Sequence, residues 1–166
     1  METLRVTALV TGTLAMGLMA GVFGIYANAI MPGLRRTDDR TFVGSFQSID
    51  RAIINPLFMT TFFAALLLPL LAAVLHLSED EQSVLPWTAA AFVLYLVVVV
   101  TTLAVNVPRN DEIKAAGRPD DIADLGAIRR RFDERRWSRW NTARALLSLA
   151  AFACLLGALV EFGNNN

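Results

Sequence analysis

The chain has 166 residues, of which 55% are hydrophobic, and it carries fifteen basic and fifteen acidic side chains. Its mean hydropathy is +0.48. Soluble domains are less apolar than this, so the composition predicts a polytopic membrane protein. The single cysteine, Cys154, excludes an intramolecular disulfide.

Four apolar runs are each long enough to cross about 30 Å of hydrocarbon, which takes about 20 helical residues. We place them at residues 6–30, 57–77, 87–107 and 142–162. A signal peptide is the alternative for the first run, because Ala27-Asn28-Ala29 resembles a cleavage site. The run exceeds the roughly 7–15 apolar residues of a signal peptide, so we expect a retained first helix. The sequence thus predicts an all-α four-helix transmembrane bundle forming a single domain over residues 1–166.

Basic residues concentrate in the first and third connections between these runs. The second connection has none and contains Glu79-Asp80-Glu81 instead, and the tail after Phe162 has none either. The positive-inside rule therefore predicts an integral inner (plasma) membrane protein with external termini and cytoplasmic basic connections. The flanking spans explain the basic clusters better than nucleic acid does, so we expect no nucleic-acid partner. The basic residues of the two connections are Arg35, Arg36, Arg40, Arg51, Arg109, Lys114, Arg118, Arg129, Arg130, Arg131, Arg135, Arg136 and Arg139.

Each basic connection contains a predicted amphipathic helix. In the first, Thr37-Asp38-Asp39 supplies capping residues for a helix that runs to about Ile54. In the second, Pro119-Asp120-Asp121 marks a helix start, and arginines such as Arg129 dominate one side. Helices of this type lie on anionic membrane surfaces, so membrane lipids are expected partners.

Small residues and prolines predict how the spans pack and end. Gly17, Gly21 and Gly24 share a face of the first span, which favours close packing of another helix. A substrate crevice ending at Asn28 is the alternative. Pro32 and Pro108 predict that the first and third spans end near these residues.

The last span begins with an unusual polar stripe. Residues three and four apart share a helix face, which groups Trp137, Trp140, Asn141 and Arg144. Arg144 already lies inside the apolar run, where an arginine costs about 2.5–3.5 kcal/mol at the membrane centre. The sequence therefore predicts that other groups compensate for this charge.

Several further polar residues belong near the same ends of the spans. A buried amide in lipid needs a partner, so we expect Asn106 to bond Asn141 or Arg144. Purely structural hydrogen bonds between helices, together with an aromatic belt, are the alternative. The residues that converge there are Asn28, Gln47, Asn55, Asn106, Asn141 and Arg144, with Trp137 and Trp140 beside them.

The chemistry available to such a site is narrow. The chain lacks CxxC, HExxH and glycine-rich phosphate motifs, and one histidine with one cysteine does not make a familiar haem or iron–sulfur site. We therefore predict no metal and no cofactor. Two indoles suit stacking on a flat apolar molecule. Arg144 suits an oxyanion, and Asp50 is the nearest carboxylate for proton removal.

Four motifs together resemble the anthrone oxygenase-like membrane proteins, over essentially the whole chain. The most specific motif is Trp137-x-x-Trp140-Asn141-x-x-Arg144. The others are Tyr26-x-Asn28-x-x-Met31-Pro32-Gly33, Gln47 with Asn55-Pro56, and Asn106-x-Pro108-x-Asn110. The resemblance implies a four-helix membrane bundle and, for some members, oxidation of an anthrone to an anthraquinone by O₂ without metal or flavin.

We therefore expect a cofactor-independent oxygenase-like protein that acts on a flat lipophilic aromatic molecule. The predicted catalytic residues are Arg144, Asn141, Asn106, Gln47 and Asp50, and the predicted substrate-binding residues are Trp137, Trp140, Asn28, Tyr26 and Asn55. The rival is a non-enzymatic membrane protein that binds a lipid or a partner subunit through Arg129, Arg130 and Arg131. A transporter is the third hypothesis, and it would require a homo-oligomer because one chain has four spans.

Overall fold

Helices account for most of the residues that this computed structural model describes, 1–77 and 83–164. They contain no strand, which confirms the all-α prediction, and Glu79–Glu81 lies outside the described ranges. The four long helices are each long and apolar enough to cross a membrane, in agreement with the four predicted spans. The helices are α1 (Glu2–Leu34), α2 (Asp39–Ile53), α3 (Pro56–Leu75), α4 (Leu85–Ala115), α5 (Leu125–Phe132) and α6 (Glu134–Asn164).

The long helices form an up-and-down bundle. Helix α1 packs against α3 and α6, and α4 packs against the same two helices on the opposite side. Met16, Tyr95 and Leu155 are fully buried at the centre. Large apolar side chains such as Leu14 and Val97 remain exposed on the outside. A protein with this apolar exterior is a membrane protein, because lipid rather than water suits that surface.

The short helices α2 and α5 close the arginine-rich end of the bundle. Helix α2 starts where predicted, because the Asp38 carboxylate accepts a hydrogen bond from the Thr41 backbone N–H at 3.0 Å. Hydrogen bonds from Thr41 lower the pKa of this exposed carboxyl group. Phe42 and Phe46 of α2 pack against Phe132 of α5, with ring centroids 5.7 and 4.5 Å apart. The apolar face of the helix is therefore packed against the protein.

The predicted start of the second amphipathic helix is wrong. Residues 118–121 form a turn, in which the Asp121 N–H donates to the Arg118 carbonyl at 2.9 Å. Helix α5 begins instead at Leu125, and Asp124 caps it by accepting from the Ala127 N–H at 2.8 Å. The short α5 is separated from α6 by Asp133, whose φ of 51° places it in the left-handed region.

Helices α1 and α4 continue through the prolines that were expected to end them. In each, a π-helical segment precedes the proline: Tyr26–Ile30 before Pro32 and Thr102–Asn106 before Pro108. A proline lacks an N–H and its ring clashes with the carbonyl four residues earlier. A widened π turn relieves that clash, so the helix axis continues. Helix α1 still ends at Leu34, two residues after Pro32 and close to the predicted end, whereas α4 continues to Ala115, so only the predicted end of the third span is wrong.

The glycine face of α1 is only partly a packing surface. A Cβ atom at Gly17 would lie 3.0 Å from the Phe152 ring of α6, as expected for close helix packing. Nothing lies within 4 Å of such an atom at Gly21 or Gly24. Asn28 is exposed. The predicted packing therefore holds for Gly17, and the other two glycines face open space.

Gly12 offers a test of the α1–α3 contact. A Cβ atom there would lie 3.1 Å from Leu68 Cβ and 3.7 Å from the Leu68 carbonyl carbon. We expect Gly12→Leu to destabilise the bundle by about 1–3 kcal/mol through overpacking, seen as a lower melting temperature in detergent. Gly33→Leu is the control, because nothing lies within 4 Å of that position. Equal melting temperatures for the two variants would contradict the packing described for α1.

Candidate functional site

A cavity of about 80 Å³ lies where α1, α4 and α6 meet the inner face of α2. A buried water needs about 10–15 Å³, so the cavity has room for several waters or for O₂. It is smaller than the roughly 300 Å³ at which ligand pockets usually begin. Its polar lining consists of Tyr26, Asp50, Thr102, Asn110, Trp137, Asn141 and Arg144.

Arg144 is the buried charge of this cavity, with 5% of its surface exposed. Its Nη1 donates to the Thr102 hydroxyl at 3.1 Å, and its Nη2 donates to the Asn141 side-chain oxygen at 2.9 Å. The guanidinium carbon lies 4.5 Å from the centre of the Phe23 ring and 5.6 Å from that of Trp137, within cation–π range. The charge of Arg144 is therefore compensated, as predicted, by the hydroxyl and amide dipoles of Thr102 and Asn141 and by two aromatic rings.

The same guanidinium lacks an anionic partner. No ion pair joins Arg144 to a carboxylate among the residues that the structure describes, and its Nε has no hydrogen-bond acceptor. A buried charge without a counter-charge is unfavourable by several kcal/mol. The site is therefore suited to an anion that reaches Arg144 from the cavity.

Asn141 is held in one orientation by the backbone of α1. Its Nδ2 donates to the Phe23 carbonyl at 3.0 Å, so its side-chain oxygen faces Arg144. Phe23 lies three residues before the π-helical segment of α1. The π-helical segment of α1 is thus close to the residue that orients Asn141. Such segments are frequent at functional sites.

Asp50 belongs to a second hydrogen-bonded chain in the wall of the cavity. Its Oδ1 accepts from Asn110 Nδ2 at 2.7 Å, and Asn110 Oδ1 accepts from the Trp137 indole N–H at 2.7 Å. Lys114 Nζ lies 2.8 Å from Asp50 Oδ2 and 3.1 Å from Asp111 Oδ1. One amide therefore joins the buried carboxylate to the buried indole, and one lysine balances the carboxylate charge.

Five of the predicted site residues line the cavity together. They are Tyr26, Asp50, Trp137, Asn141 and Arg144. Within the described ranges, no group of three or more His, Cys, Asp and Glu side chains is arranged to hold a metal ion.

Four other predicted residues lie elsewhere, and each has a plain structural reason. Trp140 is 42% exposed, because α6 turns it away from the buried face of Trp137. Asn55 caps α3 by accepting from the Phe58 N–H at 3.0 Å, and Asn28 is exposed. Gln47 is buried, but its amide donates to the carbonyls of Ile113 and Gly117 at 2.7 and 3.0 Å. It therefore fixes the end of α4 to α2.

Asn106 is buried next to the cavity, and its predicted partners are wrong. Its Nδ2 donates weakly to the Trp137 carbonyl at 3.4 Å, and its Oδ1 has no partner. Thr102, four residues earlier on α4, bonds Arg144 instead. The π-helical segment between Thr102 and Asn106 changes the side-chain register, which regular helical spacing does not anticipate.

The predicted site residues did not include Phe23, Thr102, Asn110 or Lys114, although Asn110 belongs to one of the four motifs. Asn106, Asn110 and Lys114 follow each other at intervals of four, which is one helix face. That regularity was available in the sequence, but it has meaning only if α4 continues past Pro108. Phe23 contributes its backbone carbonyl to Asn141 and its ring face to Arg144. A phenylalanine in an apolar run does not indicate either contact.

The two tryptophans provide a matched test of this geometry. Trp137→Phe removes the indole N–H and leaves the Asn110 oxygen without its donor, which costs about 1–3 kcal/mol in a buried site. We expect a clear fall in melting temperature in detergent. Trp140→Phe, a change of the same size on the exposed face, should shift stability by no more than about 0.5 kcal/mol. Equal losses from both variants would contradict the assignment of Trp137 to the buried network.

One protein family resembles this chain over most of the site. No curated protein and no solved structure matches the chain. A family model described as anthrone oxygenase matches residues 46–154, from α2 into α6, which includes Asp50, Asn110, Trp137, Asn141 and Arg144. The motif at residues 26–33 lies outside the matched range. The match covers more than half of the chain and confirms the predicted family: the chain belongs to the anthrone oxygenase family.

Proposed function

We propose that this oxygenase-like membrane protein binds a flat lipophilic aromatic molecule, such as an anthrone, stabilises the oxyanion formed from it and oxidises it with O₂ without a cofactor. One observation carries the proposal: Arg144 is a buried cation that lines a cavity and lacks a carboxylate partner among the described residues. An enolate oxygen at this position would complete the charge. The family match supports oxygenase chemistry in general terms.

In the first step, the Asp50 carboxylate takes a proton from the acidic CH₂ carbon of the substrate. The electron pair moves onto the substrate carbonyl oxygen, giving an extended enolate. Arg144 stabilises that oxygen with a guanidinium whose position is fixed by Thr102 and Asn141. Donors that are already oriented toward a developing charge are among the largest contributions to catalysis.

In the second step, O₂ accepts electrons from the enolate and forms a C–O bond at the same carbon, which gives a peroxide. Protonated Asp50 returns its proton to the peroxide oxygen. Loss of the second C–H proton then breaks the O–O bond and releases water. The CH₂ group becomes a carbonyl, one oxygen atom enters the product and the other leaves in water. The oxidation of four electrons is thus balanced by one O₂.

The substrate would reach the cavity from the lipid side. Ile53, Ile54 and Phe58 line the cavity at the corner between α2 and α3, and Ile54 is 58% exposed. A fused three-ring molecule is too large for about 80 Å³, so these apolar side chains must move aside. Ile54 lies in the connection, and Ile53 and Phe58 lie in the helix turns that adjoin it, where movement is easier than at a helix centre.

The arginine-rich end carries the cavity, and we propose that this end faces the cytoplasm. The support is the distribution of arginines beside the spans, to which the positive-inside rule applies. Both termini would then lie outside the inner membrane.

Arg144→Leu tests the oxyanion role. We expect O₂ uptake with an anthrone, measured on purified and metal-chelated protein, to fall about 10²–10³-fold. Arg51→Leu, which removes an exposed arginine of α2, should keep the wild-type rate. Melting temperatures of both variants show whether the bundle is intact. Unchanged uptake by Arg144→Leu contradicts the proposal, and uptake that the chelator abolishes contradicts its cofactor-free form.

Asp50→Asn tests the base. The amide keeps the size of the side chain but cannot accept the proton, so we expect kcat to fall about 10²–10⁴-fold. Binding of an anthraquinone, followed by tryptophan quenching, should remain close to wild type. Asp111→Asn removes the exposed carboxylate beside Lys114 and should leave kcat unchanged. Wild-type turnover by Asp50→Asn would assign proton removal to another group.

A further inference from the structure

We propose that a groove between α1 and α6, separate from the cavity, binds an anionic phospholipid through its phosphate group. The groove encloses about 380 Å³ at the arginine-rich end of the bundle. Ala27 and Pro32 of α1 and Thr142 of α6 form its walls, and Arg35, Arg135 and Arg139 line it. This inference does not depend on the proposed reaction.

The groove contains cations that the chain itself does not neutralise. Arg135 and Arg139 are four residues apart and share one face of α6. Neither forms an ion pair with a carboxylate in the described part of the chain. Arg35 is bound to Glu134 at 2.6 Å, and Glu134 also holds Arg129 at 3.3 Å. The groove therefore carries a local excess of positive charge.

The arginines of α5 differ in this respect. Arg129 also lies 3.0 Å from Asp39, and its guanidinium covers the Phe42 ring at 4.3 Å. Arg130 lies 3.7 Å from Asp124, and Arg131 lies 3.5 Å from Glu112. These are the residues that the sequence suggested as a lipid contact. Their carboxylate partners leave the first turns of α6 as the surface with unmatched charge.

An open apolar track leads from the groove along the bundle. Gly17 of α1 contacts Phe152 of α6, and Gly24 lies seven residues later on the same face. Nothing lies within 4 Å of a Cβ atom built at Gly24. Ala27, which lines the groove, follows one turn further on. An acyl chain can therefore lie against the backbone of α1 while the phosphate reaches the arginines.

These two features together favour a lipid over a free anion. Guanidinium groups bind phosphate oxygens with paired, directional hydrogen bonds. Basic pockets between spans at the level of the head groups are a known type of anionic-lipid site. A free phosphate would use the arginines alone, whereas a phospholipid would also cover the apolar track beside Gly24.

Native mass spectrometry of the full chain in detergent tests this site. Phosphatidylglycerol and phosphatidylcholine with identical acyl chains are added in parallel. We expect phosphatidylglycerol to bind at concentrations at least about tenfold lower, because only its head group is a net anion. The double variant Arg135→Gln/Arg139→Gln should lose this preference. Gly24→Leu, which fills the track without changing charge, should weaken binding of both lipids.

The matched control is Arg36→Gln/Arg51→Gln, which removes two exposed arginines outside the groove. It should keep the preference, and all variants should keep the wild-type melting temperature within a few degrees. Equal loss in the control would show general electrostatic attraction and overturn the site. Full displacement by millimolar inorganic phosphate, or normal lipid binding by Gly24→Leu, would show a free-anion site and overturn the lipid assignment.

Discussion

The burial of one guanidinium group sets the requirements for the rest of this bundle. Arg144 lies among apolar helices, and within the described residues its charge is balanced by a hydroxyl, an amide oxygen and two aromatic faces. Each of these partners needs its own support: Asn141 is fixed by the Phe23 carbonyl, and Trp137 by Asn110. The helices α1, α4 and α6 are thus joined at one depth by polar contacts, next to a hydrophobic cluster around Met16, Tyr95 and Leu155.

Two π-helical segments allow the polar side chains around Arg144 to meet. They lie at the same end of α1 and α4, and each ends two residues before a proline. The widened turn lets the helix pass the proline, so that α4 extends far enough for Asn110 and Lys114 to reach Asp50. The same turn places Thr102 rather than Asn106 on Arg144. Local irregularity of the backbone therefore decides which side chains form the site.

The sequence predicted the parts of the structure that depend on regular helices. The lengths of the apolar runs predicted the four spans, a capping residue predicted the start of α2, and helical periodicity predicted the common face of Trp137, Asn141 and Arg144. Periodicity failed where the helix departs from regularity, as at Pro108. The site prediction also failed for Gln47 and Asn55, whose amides hydrogen-bond to backbone groups. In a sequence, such an amide cannot be distinguished from an amide that binds a ligand.

The small volume of the cavity affects how the proposed flat aromatic substrate would be stabilised there. A cavity of about 80 Å³ holds several waters at most, so the field of Arg144 is screened less there than in bulk water. An oxyanion gains most from a donor that is fixed in position, and it gains less in a wide, fully solvated pocket. In the proposed reaction, the apolar corner of Ile53, Ile54 and Phe58 lies on the path by which an uncharged aromatic substrate enters from the lipid. Such a substrate would displace these apolar side chains and the few waters of the cavity, and its charge would develop only after it has reached Arg144.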